Sequence, residues 1–320
     1  MLEATGILVL GLAFLTAGAE ALVRGASSLA AALGLSPLFI GLTLVAYGTS
    51  APELVVSADS SLRGLHGLAI GNVVGSNIFN TGVVIGVAAL IAPIPCRGGL
   101  VRREAALVVL TTAVLVILGW NGRLTRVEAT GLLLGLIGYT AWYHRQALRT
   151  ASNAVVKGWA GNGQGGLKQL KHLMLALLGL GLLVLGGRWA VNGAVELAEL
   201  LGVSKTLIGL TVVAVGTSLP ELATSAVAAL RRQTDIAIGN VLGSNIFNLL
   251  GILGFAGLLH PLQVPPHIIR FDFPVALVFA LACIPIGLSG RRISRPEGTV
   301  LLLGYIAYVA VVIVQASTVS

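Results

Sequence analysis

Two six-residue stretches each hold a carboxylate, two hydroxyls and a helix breaker: Gly48-Thr49-Ser50-Ala51-Pro52-Glu53 and Gly216-Thr217-Ser218-Leu219-Pro220-Glu221. Both lie in apolar surroundings, the first inside "GLTLVAYGTSAPELVVSA". Thr49 and Glu53 are four residues apart and share a helix face with Ser50 beside them, and Thr217, Ser218 and Glu221 repeat the set. Proline has no N–H, so Pro52 and Pro220 release the carbonyls of Gly48 and Gly216 from helical hydrogen bonding. Further on, "GNVVGSNIFN" and "GNVLGSNIFN" place Ser76 with Asn80 and Ser244 with Asn248, again four apart. Gly71, Gly75, Gly239 and Gly243 in these stretches allow close helix approach. Pooled, the donors are all oxygens, the ligand type of a hard cation such as Ca²⁺, which takes about six to eight of them. No thiolate or imidazole joins them, which argues against zinc, copper or iron. The two glutamates match one Ca²⁺ in charge.

The elements that position these groups must be membrane spans. The chain has 320 residues, 56% hydrophobic and only 10% charged, where a soluble domain carries about 25%. An all-α polytopic membrane protein is the expected class. At about 20 apolar residues per span, ten segments emerge: 4–23, 37–61, 67–91, 104–119, 127–147, 171–195, 205–229, 235–259, 272–289 and 298–316. No cleavable signal segment is expected, because the first apolar run leads straight into more membrane sequence. Loops after the odd-numbered spans hold 14 of the 20 basic residues. That bias places the loop between spans 5 and 6 in the cytoplasm and both termini outside, in the cell membrane. The net charge of +8 is therefore read as topology rather than nucleic-acid binding. Cys96 and Cys283 lack ligand spacing and read as small apolar fillers. The five histidines fall near span ends, and no pair has ligand spacing in the sequence.

The chain also repeats itself. Residues 41–80 and 209–248 align without a gap at an offset of 168, with 26 of 40 positions identical. The expected organisation is two five-span units, 1–147 and 171–320, joined by a cytoplasmic linker over 148–170. Five is odd, so the second unit enters the membrane from the opposite side. Such inverted-topology repeats are a signature of transporters that alternate access to a midplane site. Broken helices are expected in spans 2, 3, 7 and 8, since opened backbone survives in a membrane only against protein or a water-filled cavity. A mid-membrane carboxylate costs at least about 2.5–3.5 kcal/mol, and these segments offer no Lys or Arg, so a bound cation or proton is the partner. Ser57 and Ser225 are expected to back-bond to their own helices, and Asp59 to sit at a solvated span end. Glu20 aligns with Arg188 in the repeat, which assigns it no role.

At "GTSAPEL", "GTSLPEL" and the doubled "GSNIFN", the sequence resembles the cation/calcium exchanger superfamily, and within it sodium/calcium exchangers of prokaryotic type. The resemblance covers the whole ten-span layout. It implies Glu53 and Glu221 as shared calcium ligands, helped by carbonyl or hydroxyl oxygens of Thr49 and Thr217. It implies sodium sites drawing on Ala46, Ser50, Ser76 and Asn80 with their counterparts Ala214, Ser218, Ser244 and Asn248. Proton-coupled calcium exchangers carry a different acidic motif there, which favours sodium coupling. Potassium-dependent relatives carry aspartate at the place of Asn248, so this chain is expected to run without potassium. Its short linker lacks the large regulatory loop of animal exchangers.

The expected activity is Na⁺/Ca²⁺ antiport, with Ca²⁺ and Na⁺ as substrates, the lipid bilayer as surroundings, no cofactor and no obligatory protein partner. A proton-coupled or promiscuous divalent exchanger is the alternative, and a calcium channel a more distant one. An enzyme is not expected, since "GTSAPEL" has no nucleophile–base pair.

Overall fold

The computed structural model describes residues 1–96, 99–154, 165–202, 214–289 and 292–319. It is built almost wholly of helices. Among the described residues five helices are long and apolar enough to cross a membrane, or six if one bent pair counts as a single span. These are α1 (Leu2–Leu33), the bent pair α2 (Pro37–Thr49) with α3 (Ala51–Leu62), α4 (His66–Ile91), α7 (Gly165–Leu200), α10 (Thr234–Leu259) and α12 (Arg295–Val319). The other four expected segments fall on α5 (Gly99–Gly119), α6 (Arg126–Ala154), α8 (Ala214–Gly216) with α9 (Leu219–Leu230), and α11 (Phe273–Ser289). Helix α5 carries Arg102, Arg103 and Glu104 near its start, and α6 carries Arg126 and Glu128 in its first turn and His144 and Arg145 ahead of its last turns, which shortens their apolar stretches. The start of the expected seventh span, 205–213, lies outside the described residues.

Local chemistry sets the helix ends. Helix α1 stops at Gly34, whose φ of 65° is left-handed, with Gly34 and Leu35 N–H groups turned back onto Ala31 and Ala30 carbonyls. Ser36 Oγ accepts the Phe39 N–H at 3.1 Å to open α2. Capping boxes open α6, where the Thr125 N–H and hydroxyl both reach Glu128 Oε2 at 2.7 Å, and α12, where Ser294 does the same with Glu297. Helix α6 continues to Ala154 and α7 resumes at Gly165, so helix occupies part of the stretch expected as linker. The run Gln146-Ala147-Leu148-Arg149 has no glycine or proline to stop it. Residues 155–164 of that linker lie outside the described residues.

Four two-residue strands were not expected. They pair antiparallel as β1 (Ile94–Pro95) with β4 (Arg292–Ile293), and β2 (Arg123–Leu124) with β3 (Leu262–Gln263). Each ribbon joins one half of the chain to the other.

Helices α1 and α7 pack antiparallel along glycines seven residues apart, Gly11, Gly18 and Gly25 against Gly179, Gly186 and Gly193. A Cβ built on Gly18 would lie 2.8 Å from the Gly179 carbonyl oxygen, so only the bare backbone allows this approach. Helices α4 and α10 are the most buried of the long helices. Their apolar faces carry Ile70, Val73, Ile78, Ile238, Val241 and Ile246 into the main core. Thr49, Ser50, Glu53, Ser218 and Glu221 are buried where α2–α3 and α8–α9 break, while Glu104, Thr111 and Thr112 are buried separately on α5.

Candidate cation site

The first break is a bend of 45° between α2 and α3. Ser50 sits in it at φ −82°, ψ 8°, and Ser218 sits between α8 and α9 at φ −91°, ψ 8°. Pro52 and Pro220 occupy the first turns of α3 and α9, where a missing N–H costs no helical hydrogen bond. The proline therefore starts a new helix rather than bending the middle of an old one. Glu53 and Glu221 follow in the same first turns and are fully buried.

The two breaks reach across to each other. Ser50 Oγ donates to Glu221 Oε1 at 2.8 Å, and Ser218 Oγ donates to Glu53 Oε1 at 2.9 Å. Ser76 Oγ lies 3.1 Å from Ser218 Oγ, and Ser244 Oγ donates to the Ala46 carbonyl at 3.4 Å. That same carbonyl takes the Thr49 hydroxyl at 3.3 Å and the Ser50 N–H at 3.1 Å. Glu53, Glu221, Thr49, Ser50, Ser218, Ser76, Ser244, Asn80 and Asn248 are all buried; Thr217 is half-buried, and Ala214 begins α8.

Four oxygens in this cluster are buried and accept no hydrogen bond among the described residues: Glu53 Oε2, Glu221 Oε2, Asn80 Oδ1 and Asn248 Oδ1. Asn80 Nδ2 donates to Asn245 Oδ1 at 3.1 Å and Asn248 Nδ2 donates to Asn77 Oδ1 at 2.9 Å, which holds each side-chain amide in place while its own Oδ1 stays without a donor. A buried acceptor without a donor costs roughly 1–3 kcal/mol, more when charged. Four of them, two on carboxylates, make up a candidate cation cage whose acceptor capacity no donor among the described residues fills. Among the described residues no group of three His, Cys, Asp or Glu side chains gathers. The cage therefore relies on neutral oxygens beside two carboxylates, the set suited to hard cations.

Two asparagine pairs complete the site and were missed in the sequence. Asn72 Nδ2 donates to the Glu53 carbonyl at 3.2 Å and to Ser57 Oγ at 2.9 Å; Asn240 Nδ2 donates to the Glu221 carbonyl at 3.3 Å and to Ser225 Oγ at 3.0 Å. Their Oδ1 atoms accept from Thr217 at 3.4 Å and Thr49 at 3.1 Å. Asn77 and Asn245 orient Asn248 and Asn80 as described, and Asn77 Nδ2 also reaches the Asn245 carbonyl at 3.2 Å. The signal was present: Asn72, Ser76 and Asn80 follow at four-residue steps on one face, and every one recurs at the offset of 168.

Other expectations change in detail. Spans 3 and 8 do not break; α4 and α10 run through, widened by π-helical stretches at Asn80–Val84 and Phe247–Ile252. Neither contains a proline, so the backbone keeps its hydrogen bonds and absorbs one extra residue per turn. Ser57 and Ser225 bond to the Ala69 and Ala237 carbonyls of the following helix, at 3.3 and 3.4 Å, instead of to their own helices. Asp59 is exposed and pairs with Arg63 at 2.8 Å, a solvated helix end. Glu20 holds Arg24 and, across to the end of α9, Arg231.

An apolar cavity lies beside the second break. It has a volume of about 260 Å³ between α3, α7 and that break, and is bordered by Pro52, Val56, Val191, Gly216, Thr217 and Pro220.

Known proteins share this arrangement. The family described as "Sodium/calcium exchanger protein" matches residues 3–143 and 171–314. The putative antiporter CaxA of Alkalimonas amylolytica is 37% identical over 96% of this chain and 98% of its own length. The sodium/calcium exchanger MaX1 of Methanosarcina acetivorans is 35% identical over 95% and 97%. A structure of the sodium-calcium exchanger NCX_Mj soaked with 10 mM Na⁺ and 10 mM Sr²⁺ superposes with a TM-score of 0.84 at 31% identity, over 96% of this chain and 97% of that one. Matched along both halves and aligned almost end to end with its relatives, the chain belongs to the sodium/calcium exchanger protein family.

Proposed function

We propose that this protein is a secondary antiporter that exchanges Na⁺ for Ca²⁺ at the cage between the two helix breaks. The observation that carries the reading is the set of four buried oxygens without donors, Glu53 Oε2, Glu221 Oε2, Asn80 Oδ1 and Asn248 Oδ1. Glu53 and Glu221 are the Ca²⁺ ligands, with Thr49 and Thr217 beside them. Ala46, Ser50, Ser76 and Asn80, with Ala214, Ser218, Ser244 and Asn248, supply the oxygens for Na⁺. Ten spans in two inverted five-span units, 1–147 and 171–320, let the two breaks exchange roles as the site opens first to one side and then to the other. The loop-charge bias orients both termini outside and the linker inside, in the cell membrane.

Two carboxylates neutralise one Ca²⁺. The cage has oxygens enough for more than two Na⁺, so the sodium-loaded form carries net positive charge and exchange is electrogenic. Each such charge feels about 2.3 kcal/mol per 100 mV across the membrane. Asparagine at both Asn80 and Asn248 leaves no third carboxylate for an extra monovalent ion, so exchange runs without potassium.

The test is radioactive calcium uptake into proteoliposomes under imposed Na⁺, K⁺ or H⁺ gradients at clamped potentials. The reading expects uptake that needs an outward Na⁺ gradient, ignores K⁺ and responds to potential. Uptake driven by a proton gradient alone makes the protein a proton-coupled exchanger. Calcium current without any counter-ion makes it a channel.

A further inference from the structure

Two histidines far apart in the sequence meet at one end of the molecule. His66 opens α4 and His260 follows the last turn of α10, and their rings stack with centroids 4.9 Å apart and planes at 26°. His66 Nε2 is buried and has no hydrogen-bond partner among the described residues. His260 Nδ1 lies 3.0 Å from the Pro261 carbonyl oxygen. With that nitrogen donating its proton to the carbonyl, the lone pair of the His260 ring is on Nε2. A histidine whose second nitrogen is held by a main-chain carbonyl is oriented as metal-binding histidines are. Two imidazoles on one tetrahedral ion, at about 2.0–2.1 Å from nitrogen to metal, place their ring centroids roughly 5 Å apart. The observed 4.9 Å is close to that separation, and binding one ion takes a turn of the rings about their Cβ–Cγ bonds out of the stacked pose so that both in-plane Nε2 lone pairs point to it.

The backbone beneath both rings is fixed. Leu65 N–H closes onto the Ser60 carbonyl at 2.8 Å just before His66, and Ser61 Oγ donates to the Ala256 carbonyl at 2.7 Å. Arg126 Nη2 reaches the Leu259 carbonyl at 3.2 Å, immediately before His260. No third His, Cys, Asp or Glu joins the pair among the described residues, so no carboxylate is there to draw in a hard cation by charge. The available ligands are thus two neutral imidazoles, which suit borderline divalent metals and not Ca²⁺ or Na⁺.

We propose that His66 and His260 form a site for a divalent transition-metal ion such as Zn²⁺, Cu²⁺ or Ni²⁺, bound by the two Nε2 atoms and completed by water. It is separate from the oxygen cage. A bound ion ties the turn after α3, whose other end carries Glu53, to the end of α10, which carries Asn248.

Purified protein titrated with Cu²⁺ is read by electron paramagnetic resonance. Coupling to two nitrogens is expected in the parent protein, reduced to one in His66→Ala and in His260→Ala. Zn²⁺ raises the thermal unfolding temperature of the parent protein and of neither variant. Sodium-driven calcium uptake reports that the variants are folded, and His66→Gln and His260→Gln replace them where alanine does not fold. A two-nitrogen signal that survives in either single variant overturns the proposal. So does a Zn²⁺ shift that Glu53→Gln removes and the histidine variants keep, because the ion then sits in the oxygen cage.

Discussion

At the first break Thr49 is buried, with its hydroxyl 3.1 Å from Asn240 Oδ1; at the second Thr217 is half-buried, 3.4 Å from Asn72 Oδ1, and borders the cavity of about 260 Å³. Ser50 N–H reaches back four residues to Ala46, whereas Ser218 N–H reaches back three to Val215. Asn240 is fully enclosed and Asn72 is not. Yet the two stretches differ at only two of the nine positions in "AYGTSAPEL" and "AVGTSLPEL". The two breaks share one backbone conformation at Ser50 and Ser218, so packing around each, and not the local sequence, sets how tightly each is enclosed. In the exchange proposed above, one break loosens while the other seals.

The largest expected effect tests whether the halves contribute equally to the cage. Glu53→Gln and Glu221→Gln should each lower calcium exchange about 100-fold or more, or about 2.8 kcal/mol at 1.4 kcal/mol per tenfold. Both remove one of two carboxylates from a site that holds a divalent ion. Uptake assays on variants that elute as folded protein measure this. Near-parental uptake by either one breaks the equivalence and the site with it.

The next effect concerns access. Val56 lines the cavity, and its equivalent in the second copy, Thr224, is fully buried. In a background with Cys96 and Cys283 replaced, Val56→Cys should react with a membrane-impermeant thiol reagent at least about tenfold faster than Thr224→Cys, because reaction tracks the exposed thiolate. With the cytoplasmic linker expected from the loop charges, labelling of Val56→Cys should come from outside. Equal rates remove the asymmetry; labelling only from the cytoplasmic side reverses the orientation.

The site's partners were legible because the repeat pairs each residue with its counterpart. Glu53, Ser50 and Asn80 were found with Glu221, Ser218 and Asn248 from an offset alone. Cross-bonding of Ser50 to Glu221 was not legible, since it depends on how two breaks 168 residues apart are brought together. The same holds for Ser57 and Ser225, whose acceptors belong to the next helix. Asn72 and Asn240 differ again: the four-residue spacing places them on the face of Ser76 and Asn80, and their role as braces comes from their bonds to the Glu53 and Glu221 carbonyls. The breaks expected in α4 and α10 became π-helical widenings because small residues alone weaken a helix, whereas proline removes a donor. His66 and His260 are 194 residues apart, and no period in the sequence announces their stacking.

A smaller effect separates the two bracing asparagines. Asn240→Ala leaves the Glu221 carbonyl, Ser225 and Thr49 without their partner in an enclosed setting, whereas Asn72 is only half-buried. The first should cost about 2–3 kcal/mol and the second about 1 kcal/mol. Thermal unfolding of detergent-purified protein reads the difference. Equal losses show that the second break is as sealed as the first.

The smallest effect lies at one of the two positions where the motifs differ. Tyr47 in the first copy is Val215 in the second. Its hydroxyl lies 3.0 Å from Thr140 Oγ1 of α6, and its ring stacks on Phe247 with centroids 4.5 Å apart. These contacts tether the end of α2 to α6 and α10, next to Ala46 and Thr49, and the valine has no hydroxyl to do the same. If the tether helps hold the first break in its sealed form, Tyr47→Phe keeps the stack and loses only the hydrogen bond, which is worth about 0.5–1.5 kcal/mol. Only part of that acts on the balance between the two breaks, so the change in their relative populations is a few-fold at most. Labelling of Thr224→Cys should then accelerate by about two- to threefold in the Tyr47→Phe background, since 1.4 kcal/mol is a factor of ten. Calcium affinity at the cage should hold, because no cage oxygen touches the Tyr47 hydroxyl. A labelling rate unchanged by Tyr47→Phe assigns the sealed form to the buried contacts of Thr49 and Asn240 alone.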